Sequence, residues 1–320
     1  MGVEAMVAEQ SVPRSGVGRQ LESLEGRSSG DLLALVERRL SELVPSEKVE
    51  PRILHEAMRY SLLAGGKRIR PLLTIQVSTD FGASVKDALD AASAIEMVHT
   101  ASLIFDDMPC MDDATLRRGK RANHLVFGED TAILAATALL NRAFGVIAES
   151  ECLPATVRLD LVRMLSNAVG SDGIIAGQFS DLRSSWSPHG GTGGITDMYA
   201  QKTGALFVAA VEAGARIAAV DESWVLAVRE YALNLGLAFQ LLDDLLDTFS
   251  SREDLGKDTG QDGHKDTLAS RLGADEARLE VCRYVKSAAT ALKPLGESGI
   301  PLVDLARSYT EPAMERVLFL

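Results

Sequence analysis

The sequence predicts an all-α fold, a single large helical bundle, in which two aspartate clusters point to a central cavity. Three observations carry the helical expectation. Alanine and leucine dominate while alternating β-branched runs are scarce, so residue preference and pattern both favour helix over sheet. Apolar residues recur at helical spacing from residue 31 almost to the end, beginning with Leu32, Leu33, Leu35, Val36, Leu40 and Leu43. No composition shift or fixed-period repeat divides the 320 residues, and 46% are apolar, enough to bury a substantial core.

Residues 1–30 mix Gly, Ser, Arg and Glu without apolar period, as in SVPRSG and EGRSSG, and read as a flexible lead-in to a domain spanning 31–320. Ala64-Gly65-Gly66 separates two helices and leaves backbone amides free before the second. The apolar run Ala91 to Phe105 is helical and ends near Pro109, which cannot donate an amide and disfavours helix at its predecessor. Pro154 marks another break, and Ser184 to Thr196 (SSWSPHGGTGGIT) reads as a flexible surface loop placed to cover the cavity mouth. Gly256 to Gly263 breaks the pattern again.

The chain carries 33 Lys and Arg against 45 Asp and Glu, a formal charge of −12. That argues against a nucleic-acid partner, which would require clustered cations, and confines anion binding to local sites. Cys110, Cys152 and Cys282 lie far apart without CxxC spacing, so neither a disulfide framework nor a zinc site is indicated. The longest clean apolar run, Ala132 to Leu140, is about half of the roughly 20 residues a membrane helix needs, and no transmembrane segment is expected. The scattered cysteines make a reduced, cytoplasmic location the expected one; no apolar signal core follows Met1, Met6 stands where a myristoylation motif wants Ser or Thr, and no prenylation cysteine is expected at the C-terminus.

Two aspartate clusters stand out. The first, Asp106-Asp107-Met-Pro-Cys-Met-Asp112-Asp113, sits at a helix end and on the loop after it. In the second, FQLLDDLLD, Asp243 and Asp247 are four apart and share one helical face with Asp244 beside them. Acidic triplets are usually solvated helix faces. Here Leu241, Leu242, Leu245 and Leu246 surround the second cluster, and carboxylates in apolar company are costly unless paired or metal-bound. Hard oxygen donors of this kind suit Mg²⁺, which commonly bridges carboxylates to substrate phosphates.

Basic residues alternate with these carboxylates. Gly66-Lys67-Arg68-Ile69-Arg70, Arg117-Arg118 shortly after the first cluster, Lys202-Thr203, and Lys257 just beyond the second are each weak signals alone. Together they suit diphosphates held between Mg²⁺ and Arg or Lys.

In these motifs, their order and approximate spacing, the chain from about residue 31 onward resembles the trans-isoprenyl diphosphate synthases. EMVHTASLIFDDMPCMDDATLRRGKRANH resembles especially the bacterial and plant geranylgeranyl diphosphate synthases, including those feeding carotenoid synthesis. The resemblance implies the isoprenoid synthase type of bundle, a homodimer, and head-to-tail (1′-4) condensation of isopentenyl diphosphate with dimethylallyl, geranyl or farnesyl diphosphate. It implies Mg²⁺ ligands at Asp106, Asp107, Asp112, Asp243, Asp244 and Asp247, three ions being held with bound diphosphate, with Asp113 extending the first motif. Arg117, Lys202, Gln240 and Lys257 would contact the allylic diphosphate, assisted by Thr203. Lys67, Arg70, His99 and Arg118 would hold isopentenyl diphosphate, with Gly66 allowing close backbone approach, and Gln178 and Asp181 match a GQxxD element near the metals. Arg68 and Arg121 read as surface charges beside these. The chain departs from the family pattern at Gln261, where many members carry a second cation, and Lys265 stands nearby.

The resemblance also links residues upstream of the first cluster to product length. Ala101 and Ser102 lie five and four residues before Asp106, about one to one and a half turns down the helix. Both are small, and a bulky aromatic at the first goes with a fifteen-carbon product, so a twenty-carbon product is expected. Farnesyl or longer-chain synthesis, or a regulatory subunit of a heteromeric synthase, are the alternatives. A di-iron bundle is opposed by the histidines: Glu96 and His99 fit Glu-x-x-His, but no other histidine has Glu three residues before it. A terpene cyclase is opposed by the second aspartate-rich motif and by the GGKRIRP site for a second diphosphate.

Overall fold

The computed structural model describes residues 29–183, 191–249 and 267–318. The expected flexible segment 1–30 falls almost wholly outside them, as do Lys257, Gln261 and Lys265. Fourteen α-helices follow in chain order among the described residues. They are α1 (Ser29–Leu43), α2 (Arg52–Leu62), α3 (Ile69–Asp80), α4 (Val85–Asp106), α5 (Asn123–Phe127), α6 (Glu129–Glu149) and α7 (Ala155–Val169). Then come α8 (Ile174–Leu182), α9 (Gly191–Tyr199), α10 (Ala205–Ile217), α11 (Glu222–Phe249), α12 (Leu268–Leu272), α13 (Ala274–Ala291) and α14 (Ile300–Leu318). A π-helical turn, Ala200–Gly204, joins α9 to α10, and a 3₁₀ segment, Lys293–Gly299, precedes α14.

The all-α expectation holds, with one small exception. Leu116–Arg117 and Lys120–Arg121 pair as antiparallel strands β1 and β2. Arg118 and Gly119 between them both have positive φ, 53° and 74°, the backbone of a tight two-residue hairpin. The expected loop over Ser184 to Thr196 is also revised, because α9 begins at Gly191; residues 184–190 lie outside the described ones.

α4 is the central helix. A capping box between Ser84 and Asp87 starts it, and five of its fourteen buried residues are alanine: Ala88, Ala91, Ala92, Ala94 and Ala101. Small residues let α3, α6 and α10 pack close around it. The same economy operates at Gly214 of α10, where a Cβ would lie 2.6 Å from the Thr74 carbonyl oxygen of α3. A second core region forms where Leu241, Leu242 and Leu245 of α11 meet Tyr199, Leu268, Ala277 and Val281. The apolar neighbours of the second aspartate cluster are thus buried residues facing α12 and α13.

Three helices, Val85–Asp106, Glu129–Glu149 and Glu222–Thr248, are long and apolar enough by length and composition to cross a membrane, which the length of the longest clean apolar run did not anticipate. Of their most apolar windows, 78%, 39% and 56% are buried inside the protein. Packing within the bundle accounts for most of the apolarity of the first.

One carboxyl in the scaffold is poorly placed. Asp80 ends α3, where the helix dipole disfavours negative charge. One oxygen accepts from the Gln76 amide at 2.6 Å, while the other is buried without a partner. Burial pushes this carboxyl up to about 6, against the lowering effect of Gln76. Since the folded value lies above the unfolded one, the protonated form carries the stability, which is complete below about pH 4 and lost as pH rises to about 6. A fully buried group would lose about 3 kcal/mol over that range; for this partly exposed one about 1 kcal/mol is expected. Asp80→Asn should therefore raise stability by about 1 kcal/mol at pH 7.5 and by nothing near pH 4, read from urea midpoints at the two pH values.

Candidate active site

The end of α4, the β1 strand, α8, the π-turn and α11 surround a cavity of about 360 Å³. As expected from Pro109, α4 stops at Asp106, and Asp107 is its C-cap. The loop then doubles back, the Asp112 amide donating to the Asp106 carbonyl at 2.9 Å, so that both side chains line the cavity. Burial pushes the Asp106 carboxyl up to about 6; Lys202 pulls it down and Asp112 pushes it further up. Asp107 points elsewhere. It is 3% exposed, stands off the cavity wall, and accepts from Arg117 Nε at 2.8 Å and from Nη2. Its placement is therefore that of a buried anchor holding the Arg117 guanidinium at the cavity.

The second cluster, on α11, lines the same cavity. Asp243 and Asp247, one turn apart on α11, both line the cavity. Asp244 reaches its edge but is 4% exposed, accepting from the Tyr199 hydroxyl and from Gln240 Nε2 at 3.0 Å. Gln240 Oε1 in turn accepts from the Thr203 hydroxyl at 2.5 Å.

Lys202 and Thr203 sit on the π-turn, a helix irregularity often found at functional sites. Lys202 Nζ donates to Asp181 at 2.6 Å. Burial alone would lower its pKa, but Asp106 and Asp181 outweigh that and raise it, so it stays charged. Gly177 brings α8 against this turn: a Cβ there would fall 2.2 Å from the Lys202 backbone nitrogen. The close approach carries the neighbouring Gln178 to the cavity, where both of its amide atoms are buried without a protein partner. An unpaired donor and acceptor on a cavity wall suit a polar ligand.

The GGKRIRP segment forms the remaining basic side. Gly65 and Gly66 have φ of 79° and 137°, and Arg68, the N-cap of α3, has φ 47°. Arg70 lines the cavity, its guanidinium 4.5 Å from the Phe207 ring centroid and its Nη1 3.3 Å from His99 Nε2. Burial pushes Arg70 down to about 10, with Arg118 adding to the effect. Burial, then Arg70, Arg118 and two further arginines hold His99 well below its ordinary value, so its imidazole is neutral at pH 7. Crowded cations of this kind suit an anion.

Arg118 contacts the Gly65 carbonyl, and its guanidinium lies 3.0 Å from where a Gly66 Cβ would be. Lys67 is exposed and off the cavity wall. Arg68 is no surface charge: it is 2% exposed, bonded to Glu37 at 2.8 Å, to Glu96 at 2.6 Å and to the Leu62 carbonyl at 2.6 Å. Arg121 is exposed. Ser102 lines the cavity, whereas Ala101 is buried off its wall.

Two residues escaped notice as site members. Tyr199 has no motif of its own, although its place three residues before Lys202 set it beside the site. Glu96 was visible as a charge inside an apolar helix, and that cost signals a partner. Its partners are Arg68 and Arg118 rather than a metal pair with His99.

Among the described residues no three His, Cys, Asp or Glu side chains are grouped to hold an ion by themselves. The donor set nevertheless fits hard divalent cations whose remaining positions are filled by water and phosphate oxygens. Carboxylates from α4, its following loop and α11, lining one cavity with three cations and a neutral imidazole, define a helical-bundle enzyme that acts on diphosphates.

The polyprenyl synthetase family model matches residues 51–270, and the chain belongs to that family. It is a trans-prenyltransferase. The geranylgeranyl diphosphate synthase of Pantoea ananas is 45% identical over 78% of this chain and 82% of its own length. A dimethylallyltranstransferase of Fischerella ambigua is 40% identical over 80% of this chain and 75% of its own. Among solved structures, an apo FPP/GFPP synthase from Zymomonas mobilis superposes with a TM-score of 0.79 at 35% identity, covering 88% of this chain and 96% of that one.

Proposed function

We propose that this protein condenses isopentenyl diphosphate head-to-tail with allylic diphosphates in the presence of Mg²⁺, releases diphosphate and stops at the twenty-carbon geranylgeranyl diphosphate. The observation that carries the reading is that two aspartate clusters about 130 residues apart line one cavity together with Arg70, Arg117 and Lys202. Asp106 and Asp112 from the first cluster and Asp243 and Asp247 from the second would hold the ions. When bound, Mg²⁺ supplies Lewis-acid stabilisation of the charge that develops on the leaving diphosphate.

This chain's residues do the rest. Arg117 and Lys202, fixed by Asp107 and Asp181, bring positive charge to the allylic diphosphate. Arg70 and neutral His99 orient isopentenyl diphosphate, and Phe207 and Phe239 keep water from the reacting carbons. Within the described residues Asp107 and Asp244 support the reading as anchors, since each carboxylate is occupied by protein donors.

The proposal extends to a homodimer in the cytoplasm. Leu125 and Val126 of α5 and Ile133 and Leu134 of α6 are 37–59% exposed, an apolar surface that a second copy would cover.

Purified protein with Mg²⁺, labelled isopentenyl diphosphate and each of the five-, ten- and fifteen-carbon allylic diphosphates should yield twenty-carbon product. Failure to elongate any starter refutes the enzyme reading, and a fifteen-carbon or longer end product refutes the length. Because Ser102 rather than Ala101 lies on the cavity wall, Ser102→Phe is the sharper length test. It should shift the main product to fifteen carbons by chromatography, and an unchanged product would free this position of the role; Ala101→Tyr is expected to disturb core packing first.

A further inference from the structure

We propose that Tyr199 is a positioning residue for the allylic-diphosphate wall, its hydroxyl setting Asp244 and, through it, the amide of Gln240 that faces the substrate. The inference rests on the prenyltransferase reading above. Tyr199 is 4% exposed, ends α9 directly before the π-turn, and lines the cavity. Its hydroxyl accepts from the Leu268 amide at 3.0 Å and donates to Asp244.

These bonds leave little freedom. Leu268 N–H is a first-turn amide of α12 with no carbonyl partner within its own helix, and Tyr199 satisfies it. With its oxygen taken as acceptor there, the hydroxyl proton goes to Asp244, which as a carboxylate only accepts. The other Asp244 oxygen takes Gln240 Nε2, so Gln240 Oε1 faces the Thr203 hydroxyl. One side chain thus links the π-turn, α11 and the start of α12, whose N-cap Thr267 also lines the cavity. Without the hydroxyl, Asp244 Oδ2 loses the donor that fixes its rotation against Gln240, while the Tyr199 ring stays packed among Met198, Leu268 and Ala269.

The test is Tyr199→Phe, which removes one oxygen. Outer groups that orient a site typically act by about 10- to 100-fold, so KM for farnesyl diphosphate and the calorimetric Kd for its unreactive thiolodiphosphate analogue should rise by about 10-fold or more. KM for isopentenyl diphosphate should change less than about twofold. Combined with Asp244→Asn, the two effects should not add, as expected for groups acting through one another. Unchanged allylic KM and Kd, additive effects in the double variant, or a variant that cannot be purified folded would each overturn the proposal, the last by assigning the hydroxyl to the fold. Wild-type elongation of farnesyl diphosphate is the control: its absence refutes the enzyme reading, whereas normal wild-type activity beside an unaffected Tyr199→Phe refutes only the role of Tyr199.

Discussion

Replacing Asp243 with alanine is expected to lower kcat/KM for the allylic substrate by about 10³-fold while leaving the fold intact. Removing one preorganised group that stabilises transition-state charge commonly costs about 10²- to 10³-fold, and loss of an ion ligand adds weaker Mg²⁺ binding. The side chain is exposed on a cavity wall, so its truncation opens no core void, and alanine favours helix within α11. The thermal midpoint should therefore shift little. The loss should shrink as Mg²⁺ is raised, because higher ion concentration offsets a weakened site. A rate profile against Mg²⁺ beside a melting curve separates the two effects, and full activity at low Mg²⁺ would contradict the ligand role. Asp107→Ala should differ in kind, since Asp107 holds Arg117 and is buried.

The contrast between Asp243 and Asp107 shows what the sequence carried and what it did not. Helical periodicity made the bundle legible where burial recurs every turn, as along α1 and α11, whereas α4 is buried without a break from Ala91 to Val98 and is read from its length and apolarity instead. Pro109 marked the end of α4, and the spacing of Asp243 and Asp247 placed both on one face. Within a motif, however, one residue's rotation decides its role. Asp106 and Asp107 are chemically identical neighbours, yet only Asp106 faces the cavity, and Asp107 turns to a strand ten residues on. The same holds for Arg68, whose depth depends on Glu37 and Glu96 from two other helices. The β1–β2 hairpin escaped notice because a two-residue strand has no period to read, and Tyr199 because its partners, Asp244 and Leu268, lie 45 and 69 positions away.

The buried pair of Arg68 and Glu96 is where the largest loss of stability is expected. Glu96 is 1% exposed in the middle of α4 and accepts from Arg68 Nη1 at 2.6 Å, with Arg118 Nη2 at 3.6 Å. Glu96→Ala would take one of two carboxylates from a guanidinium whose side chain is fully buried, and removing one partner of a buried pair typically costs about 3–5 kcal/mol when no other charge compensates. In a domain of this size that corresponds to a fall of about 10 °C in Tm. Glu37 and the Leu62 carbonyl still hold Arg68, which sets the lower end of that range as the closer expectation. The damage should also reach the site. Arg68 occupies the left-handed N-cap of α3, two residues before Arg70, so a loosened Arg68 lets the GGKRIRP turn relax. KM for isopentenyl diphosphate should rise more than that for the allylic substrate. Glu96→Gln keeps an acceptor for Arg68 and should lose less of both. Glu96→Leu with Arg68→Met removes both charges and should recover much of the stability but not the isopentenyl diphosphate affinity, because apolar packing replaces the pair's burial but not its hold on the turn. Recovery of both would show that the turn keeps its shape without the pair, and recovery of neither would show that Arg68 is held chiefly by Glu37 and the Leu62 carbonyl.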